Sequence, residues 1–490
     1  MCPILYDKFS PIESSPTITT WIRRNQRSII PLLVLILPGC GQNQAQTAKP
    51  SPPAATVTFA SSLKGSGSCS AVACHGSIAR VARSNVRRNE HTTWITQDPH
   101  SSAYQTLLGD RSERIVLNLS AWAGPVLPAE RDERCLACHT TPRPEAELEV
   151  TATLNQDGVG CESCHGGAAK WLGPHTTEWW KGLDSTIKER EYGLRATKEL
   201  AQRVKVCTGC HVGRRSPDGL LTQEVNHDLI AAGHPRLNFE FAAYQENLPV
   251  HWDEKERNAA ADFPALAWAV GQLATTKAAL ELLRRRAACG TSPWPEFSEY
   301  SCFSCHHVLA DEEWRRKRPA DDPKVRSDVP RWGSWYVPMA RALALADQPA
   351  GLDPRDDRKP FEVAIEKFLT EMTKPIPDRK EIPCHVNAVL EPLDRRLGEV
   401  SSRSFPLAEV ERLITMFDDP KAWEGVDCWD HATQRYLALV PFYQVWCRLG
   451  SDRVADQRKL KQRLDELLRR LKFDEGFDSP QGFDPARVRK

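Results

Sequence analysis

Methionine is almost missing from this chain of 490 residues. There are 4, namely Met1, Met339, Met372 and Met416. None lies between residues 41 and 306, so that stretch offers no methionine thioether to a metal. Charge of one sign is missing too. Lys and Arg number 65 against 64 for Asp and Glu, a net charge of +1. That excludes a general basic footprint for nucleic acid and points to no partner by charge. Long apolar runs are also absent. A spanning helix needs about 20 apolar residues, and the run at residues 29–37 falls well short.

Cysteine is plentiful, with 16 residues, and most fall into one repeating pattern. Four motifs have the form Cys-x-x-Cys-His: Cys135-Leu136-Ala137-Cys138-His139, Cys161-Glu162-Ser163-Cys164-His165, Cys207-Thr208-Gly209-Cys210-His211 and Cys302-Phe303-Ser304-Cys305-His306. A looser one precedes them, Cys69-Ser70-Ala71-Val72-Ala73-Cys74-His75. In this motif two thiols form thioether bonds to the vinyl groups of a haem, and the adjacent His ligates the iron from one face. Structural zinc also uses Cys-x-x-Cys pairs, but it does not require a His directly after every second Cys. Disulfides within Cys-x-x-Cys are strained and belong to redox enzymes of another kind. The pattern is that of a multihaem c-type cytochrome with five haem c groups. The Cys69–Cys74 site departs from strict spacing by two extra residues.

The N-terminus agrees with that chemistry. Arg23, Arg24 and Arg27 precede the apolar run, and Pro38-Gly39-Cys40 follows it, in signal-peptide order. Leu37-Pro38-Gly39-Cys40 resembles a bacterial lipoprotein cleavage box, in which Cys40 becomes the lipidated first residue. Residues 1–40 are therefore read as a signal peptide and 41–62 as a flexible linker rich in Gln, Ala and Pro. The expected location is the periplasmic or outer-surface side of a bacterial membrane, with Cys40 as the sole membrane contact. Covalent haem attachment in bacteria takes place in that same thiol-tolerant compartment.

With methionine absent, histidine supplies the second ligands. Besides the proximal His75, His139, His165, His211 and His306, the region holds His91, His100, His175, His227, His234 and His251. Bis-His, low-potential haems are the natural inference. His100 ends Trp94-Ile95-Thr96-Gln97-Asp98-Pro99-His100, before a helix-like stretch at residues 103–108. His175 follows the third motif after a short spacer. His227 and His234 lie two helical turns apart, on one side of a helix that Gly233 and Pro235 end. His307 cannot easily turn to the iron of His306, and His385 and His431 are read as structural. Six spare histidines for five irons leave two outcomes open. Every haem is six-coordinate, or one keeps an open face.

On Trp94 to His100, on Gly158-Val159-Gly160-Cys161-Glu162-Ser163-Cys164-His165-Gly166 with His175, and on Cys207 through His234, the chain resembles the cytochrome c-554 family of multihaem cytochromes. Its wider relatives include hydroxylamine oxidoreductase and pentahaem nitrite reductase. The resemblance spans roughly residues 65–310. It implies a mostly helical, haem-dominated fold with stacked haem pairs and a role in periplasmic electron transfer. It also implies bis-His ligation for most haems, with room for one five-coordinate haem. There are departures. The first motif is longer, the motif count exceeds the family's four haems, and no Cys-x-x-Cys-Lys occurs, which lowers a nitrite-reducing reading.

The expected fold is mainly α. A multihaem domain with little regular sheet spans residues 63–310, and an α-helical C-terminal domain spans 311–490. Helices are expected at residues 259–288, 361–372, 406–417, 432–449 and 460–473, with an exposed connection at 311–331. An oxidising compartment predicts one disulfide among Cys384, Cys428 and Cys447, with Cys289 as a further candidate. Three functions remain. One is electron carriage along covalently bound haems to redox proteins or membrane electron-transport components. Another is a multihaem oxidoreductase acting on a small nitrogen or sulfur compound at one open haem. A scaffold role for the C-terminal helices, with the haems serving a partner enzyme, is a third.

Overall fold

The computed structural model describes residues 62–80, 86–145, 148, 152–215, 219–252, 260–290, 292–302, 305–306, 330–346, 358–424, 426, 428–450, 452–472, 483 and 488. The signal peptide, Cys40, nearly all of the linker, His307 and most of the 311–331 connection lie outside the described residues.

The haem-motif region is built from short helices: α1 (Glu90–Gln97), α2 (Asp110–Ala123), α3 (Glu133–His139), α4 (Cys161–His165), α5 (Glu178–Lys181), α6 (Ser185–Tyr192), α7 (Leu200–His211), α8 (His227–Ala232) and α9 (Phe241–Asn247). Longer ones follow: α10 (Phe263–Ala288), α11 (Pro338–Ala346), α12 (Arg358–Met372), α13 (Ile382–Ser401), α14 (Leu407–Asp418), α15 (Pro420–Glu424), α16 (Trp429–Leu449) and α17 (Val454–Leu471). Among the described residues no strand forms. There are only isolated antiparallel bridges, Pro144 to Leu220, Arg214 to Gln223 and Tyr300 to Trp332. The fold is mainly α.

Side-chain caps explain why several of the short helices start where they do. The Asp132, Thr177, Asp184 and Asn226 side chains accept backbone N–H groups at the starts of α3, α5, α6 and α8. α8 stops at Ala232 because Gly233 takes a left-handed conformation, φ 116°. His234 therefore lies beyond the helix, and the two-turn helix carrying both His227 and His234 does not form.

α10 is the central column. It packs against α7 and α9 on the haem-motif side and against α13 and α16 from the C-terminal stretch. Its middle is buried nearly all round, with Gln272 and Thr276 hydrogen-bonded where they are covered. Trp268 is fully buried, 5.5 Å from the Phe417 ring and 5.1 Å from Phe442. Burying one such Phe contributes about 1.5–3 kcal/mol. Through α10 the stretches 63–310 and 311–490 share one core, within the unit Thr58–Lys490.

Five expected helices are present within a few residues of the anticipated bounds. The stretch at residues 103–108 is instead a short 3₁₀ turn, Gln105–Leu108. No disulfide links the described cysteines, so the bridge expected among Cys384, Cys428 and Cys447 is not formed. Cys384 is exposed and Cys428 is buried. Among the described residues, no helix is long and apolar enough to cross a membrane.

Candidate haem-binding sites

Three motifs lie on helix ends. The second closes α3, the third is α4 itself, and the fourth is the last turn of α7. In a helical turn, positions i, i+3 and i+4 share a face, so both cysteines and the His of the strict motif turn to one side. The fifth motif makes the same turn, with the N–H groups of Cys305 and His306 both donating to the Cys302 carbonyl. The first motif differs. A 3₁₀ turn ends at Cys69, and the two extra residues allow a second turn, in which the Cys74 and Gly76 N–H groups donate to Ala71 O.

Each of three motif histidines faces a spare histidine far away in sequence. The His75 and His175 ring centroids are 6.3 Å apart with planes at 17°. His227 and His306 are also 6.3 Å apart, at 29°. His100 and His211 are 6.0 Å apart, at 79°. A metal–imidazole bond of about 2.0 Å plus about 1.1 Å from nitrogen to centroid places two axial imidazoles about 6 Å apart across one metal. The residues therefore fit an iron between them at all three motifs, the irregular first one included. The remaining two motif histidines also have a spare histidine in electrostatic range. The charge of His139 reaches His234, and that of His251 reaches His165. His91 packs on Trp94, with centroids 5.5 Å apart, and its N–H donates to His75 O.

Six of these imidazoles are oriented through Nδ1. It donates to carbonyls at His139 (Ala103 O, 2.9 Å), His175 (Leu172 O), His234 (Pro235 O, 2.8 Å) and His251 (Pro249 O, 3.1 Å). At His75 and His100 the acceptors are the carboxylates of Glu90, 3.0 Å, and Asp98, 2.9 Å. Occupying Nδ1 leaves Nε2 bare for a metal and fixes the ring.

Electrostatics favour the neutral, ligating form at His139, His165, His211, His234 and His251. Burial pushes His165 and His211 down to about 4, helped by His251 at the first and His100 at the second. Burial also lowers His139, His234 and His251. The hydrogen bond to Glu90 raises His75. At His100 burial acts downward, but Asp98 outweighs it and the value rises. Burial holds Cys135 and Cys207 up to about 12 and Cys164 up to about 11. Cys69 goes the other way, down to about 6, through the hydrogen bond from Cys161. Among the described residues no group of three or more His, Cys, Asp or Glu is arranged around a metal ion.

The motifs are tied together by residues that the motif pattern does not single out. Glu162, inside the third motif, accepts the N–H groups of Lys64, Gly65 and Ala168. Asp157 accepts Ser66 N–H at 2.7 Å. These bonds bring the first motif onto the third, and the Cys69 and Cys161 thiols meet there. Gln223 is buried and donates through Nε2 to Ala137 O and Cys210 Sγ, joining the second motif to the fourth, where Cys138 meets Cys210. α4 packs on α7, setting the third motif beside the fourth. α8 starts at His227 and ends just before His234, so it links the fifth motif's partner to the second's.

Residues 68–166 match the family described as cytochrome c554 and c-prime. Over this segment the chain resembles the cytochrome c554 family. The match takes in the first three motifs and supports a c-type cytochrome that works in electron transfer and binds haem c covalently. No curated protein and no solved structure matches the chain.

Proposed function

We propose that this cytochrome is an exported electron carrier with five haem c groups, each iron held between two histidines. The observation that carries the reading is the recurrence of two facing imidazoles, 6.0–6.3 Å apart, at the first, fourth and fifth motifs. The ligand pairs are His75 with His175, His139 with His234, His165 with His251, His211 with His100, and His306 with His227. The paired cysteines Cys69 and Cys74, Cys135 and Cys138, Cys161 and Cys164, Cys207 and Cys210, and Cys302 and Cys305 make the thioether attachments. Bound haem supplies reversible one-electron exchange. The chain contributes fixed spacing, oriented imidazoles and a dry surround.

The links between motifs give an order along the protein: first, third, fourth, second, fifth. The ends of that row are the irregular first site and the fifth site. Residues 23–40 support export, with lipid at Cys40 as the anchor and redox proteins or membrane electron-transport components as partners.

Expression with a cytochrome maturation system, followed by mass measurement and low-temperature spin-state spectra, tests the reading. Five added haems and only low-spin signals are expected. Four haems would remove the first site, and a high-spin signal would replace pure carriage with an open, ligand-binding iron. No covalent haem at all would end the proposal.

A further inference from the structure

Two arginines sit where the third and fourth motifs meet. Arg195 follows the third motif in space. Its N–H donates to His165 O at 3.0 Å and its Nη1 to Ser163 O. Its stem lies over Gly166, 3.5 Å from where a Cβ would stand. Arg214 comes from the bridge to Gln223. Its Cζ lies 4.0 Å from the Cβ position of Gly209, inside the fourth motif. Its Nε is buried with no hydrogen-bond partner among the described residues.

The charges converge on the motif cysteines. Arg195 acts on Cys164 and Cys210, and Arg214 acts on Cys138 and Cys210. They also act on each other, and burial with that repulsion holds Arg195 below its ordinary value. Glu189 reaches Arg195 only from the exposed surface, and among the described residues neither arginine forms an ion pair. Two half-buried like charges brought close together are best balanced by an anion. A haem brings two carboxylates on its propionate arms, and a planar guanidinium matches a carboxylate in two parallel hydrogen bonds.

We infer that Arg195 and Arg214 form a shared cationic seat for haem propionates between the third and fourth sites, and hold the reduction potentials of those two sites above what bis-His ligation alone would give. The inference rests on residues 161–165 and 207–211 being haem sites. A nearby positive charge disfavours the extra charge of ferric iron, so its removal lowers the potential.

The test uses the full, haem-loaded chain with Arg195→Gln, Arg214→Gln and the charge-keeping Arg195→Lys and Arg214→Lys. Haem count by mass comes first. A wild-type chain lacking haem at the third or fourth motif fails the reading of those sites, before any variant or potential is considered. Redox titration followed in the visible spectrum comes next. With five haems retained, two of the five reduction steps are expected to fall in the Gln variants, by about tenfold in the equilibrium, or 59 mV for one electron. The Lys variants should keep most of the original values. Unchanged steps, or an equal fall in Gln and Lys variants, would overturn the inference. So would a uniform shift of all five steps. If the Gln variants lose haem while the Lys variants keep five haems and unshifted steps, the seat is upheld as a binding site.

Discussion

Replacing Asp430 with Asn should destabilise the protein strongly, and the pair it breaks shows why. Arg236 and Asp430 are 15% and 4% exposed, and Arg236 Nη1 donates to both carboxylate oxygens at 2.9 and 3.0 Å. Ser334 Oγ also donates to Asp430, and Arg236 Nη2 reaches Tyr300 O. Four segments meet there: the stretch after α8, the approach to the fifth motif, the turn before α11, and the start of α16. Removing one partner of a buried pair leaves the other charge uncompensated, at about 3–5 kcal/mol. Asn keeps one acceptor oxygen, which places Asp430→Asn near the lower end, about 3 kcal/mol. For a chain of this length, at about 2.1 cal/mol/K per residue, that is roughly 3 °C in the unfolding midpoint. Removing both charges with Arg236→Met and Asp430→Leu should recover most of the loss, because a buried pair is often no better than apolar packing. Scanning calorimetry of the haem-loaded wild type, single and double variants measures this. A single variant within about 1 kcal/mol of wild type would refute the reasoning. So would a double variant as unstable as the single.

Three further outcomes are expected. His175→Ala should leave the haem count by mass unchanged but add one high-spin signal, from the iron of His75; a purely low-spin spectrum would contradict the pairing. Gly166→Ala should abolish attachment at the third motif, because φ is 84° and the new Cβ would lie 2.0 Å from Gly193 O; a mass showing full haem loading would count against it. Glu240 is raised to about 7 by burial, against the opposing N–H groups of Ala243 and Ala242. A carboxyl raised on folding adds stability below its unfolded value, and loses it as pH rises through about 7. Melting curves of Glu240→Gln should therefore lose the part of the pH dependence that wild type shows between about 4.5 and 7; parallel curves for the two proteins would refute this.

The parts of the site legible in the sequence were those encoded locally. A Cys-x-x-Cys-His turn needs only consecutive residues, so the motifs and the proximal histidines could be read directly. The pairing of ligands could not, because His75 meets His175 only through the tertiary fold. His227 and His234 illustrate the limit. Their spacing fits a helix face, yet Gly233 ends the helix first and the two rings go to different partners. α13 was not anticipated, and it carries Pro392 in its interior, though α16 carries Pro441 and was read as a helix. Glu162, Gln223, Arg195 and Arg214 carry no pattern that marks them. Their roles come from which backbone groups and charges the fold brings beside them.

Glu162 also fixes an order of events. The carboxylate that receives the Gly65 N–H lies 97 residues further along the chain, and His175 comes later still. Synthesis runs from the N-terminus, and folding of each region waits for its partners. Cys69 and Cys74 therefore emerge with only local partners, such as Glu90 and His91 beside His75, long before the residues that dock the first motif on the third. A haem attached at the first motif at that stage would be joined to a segment held only by local contacts, and its recognition would rest on local sequence.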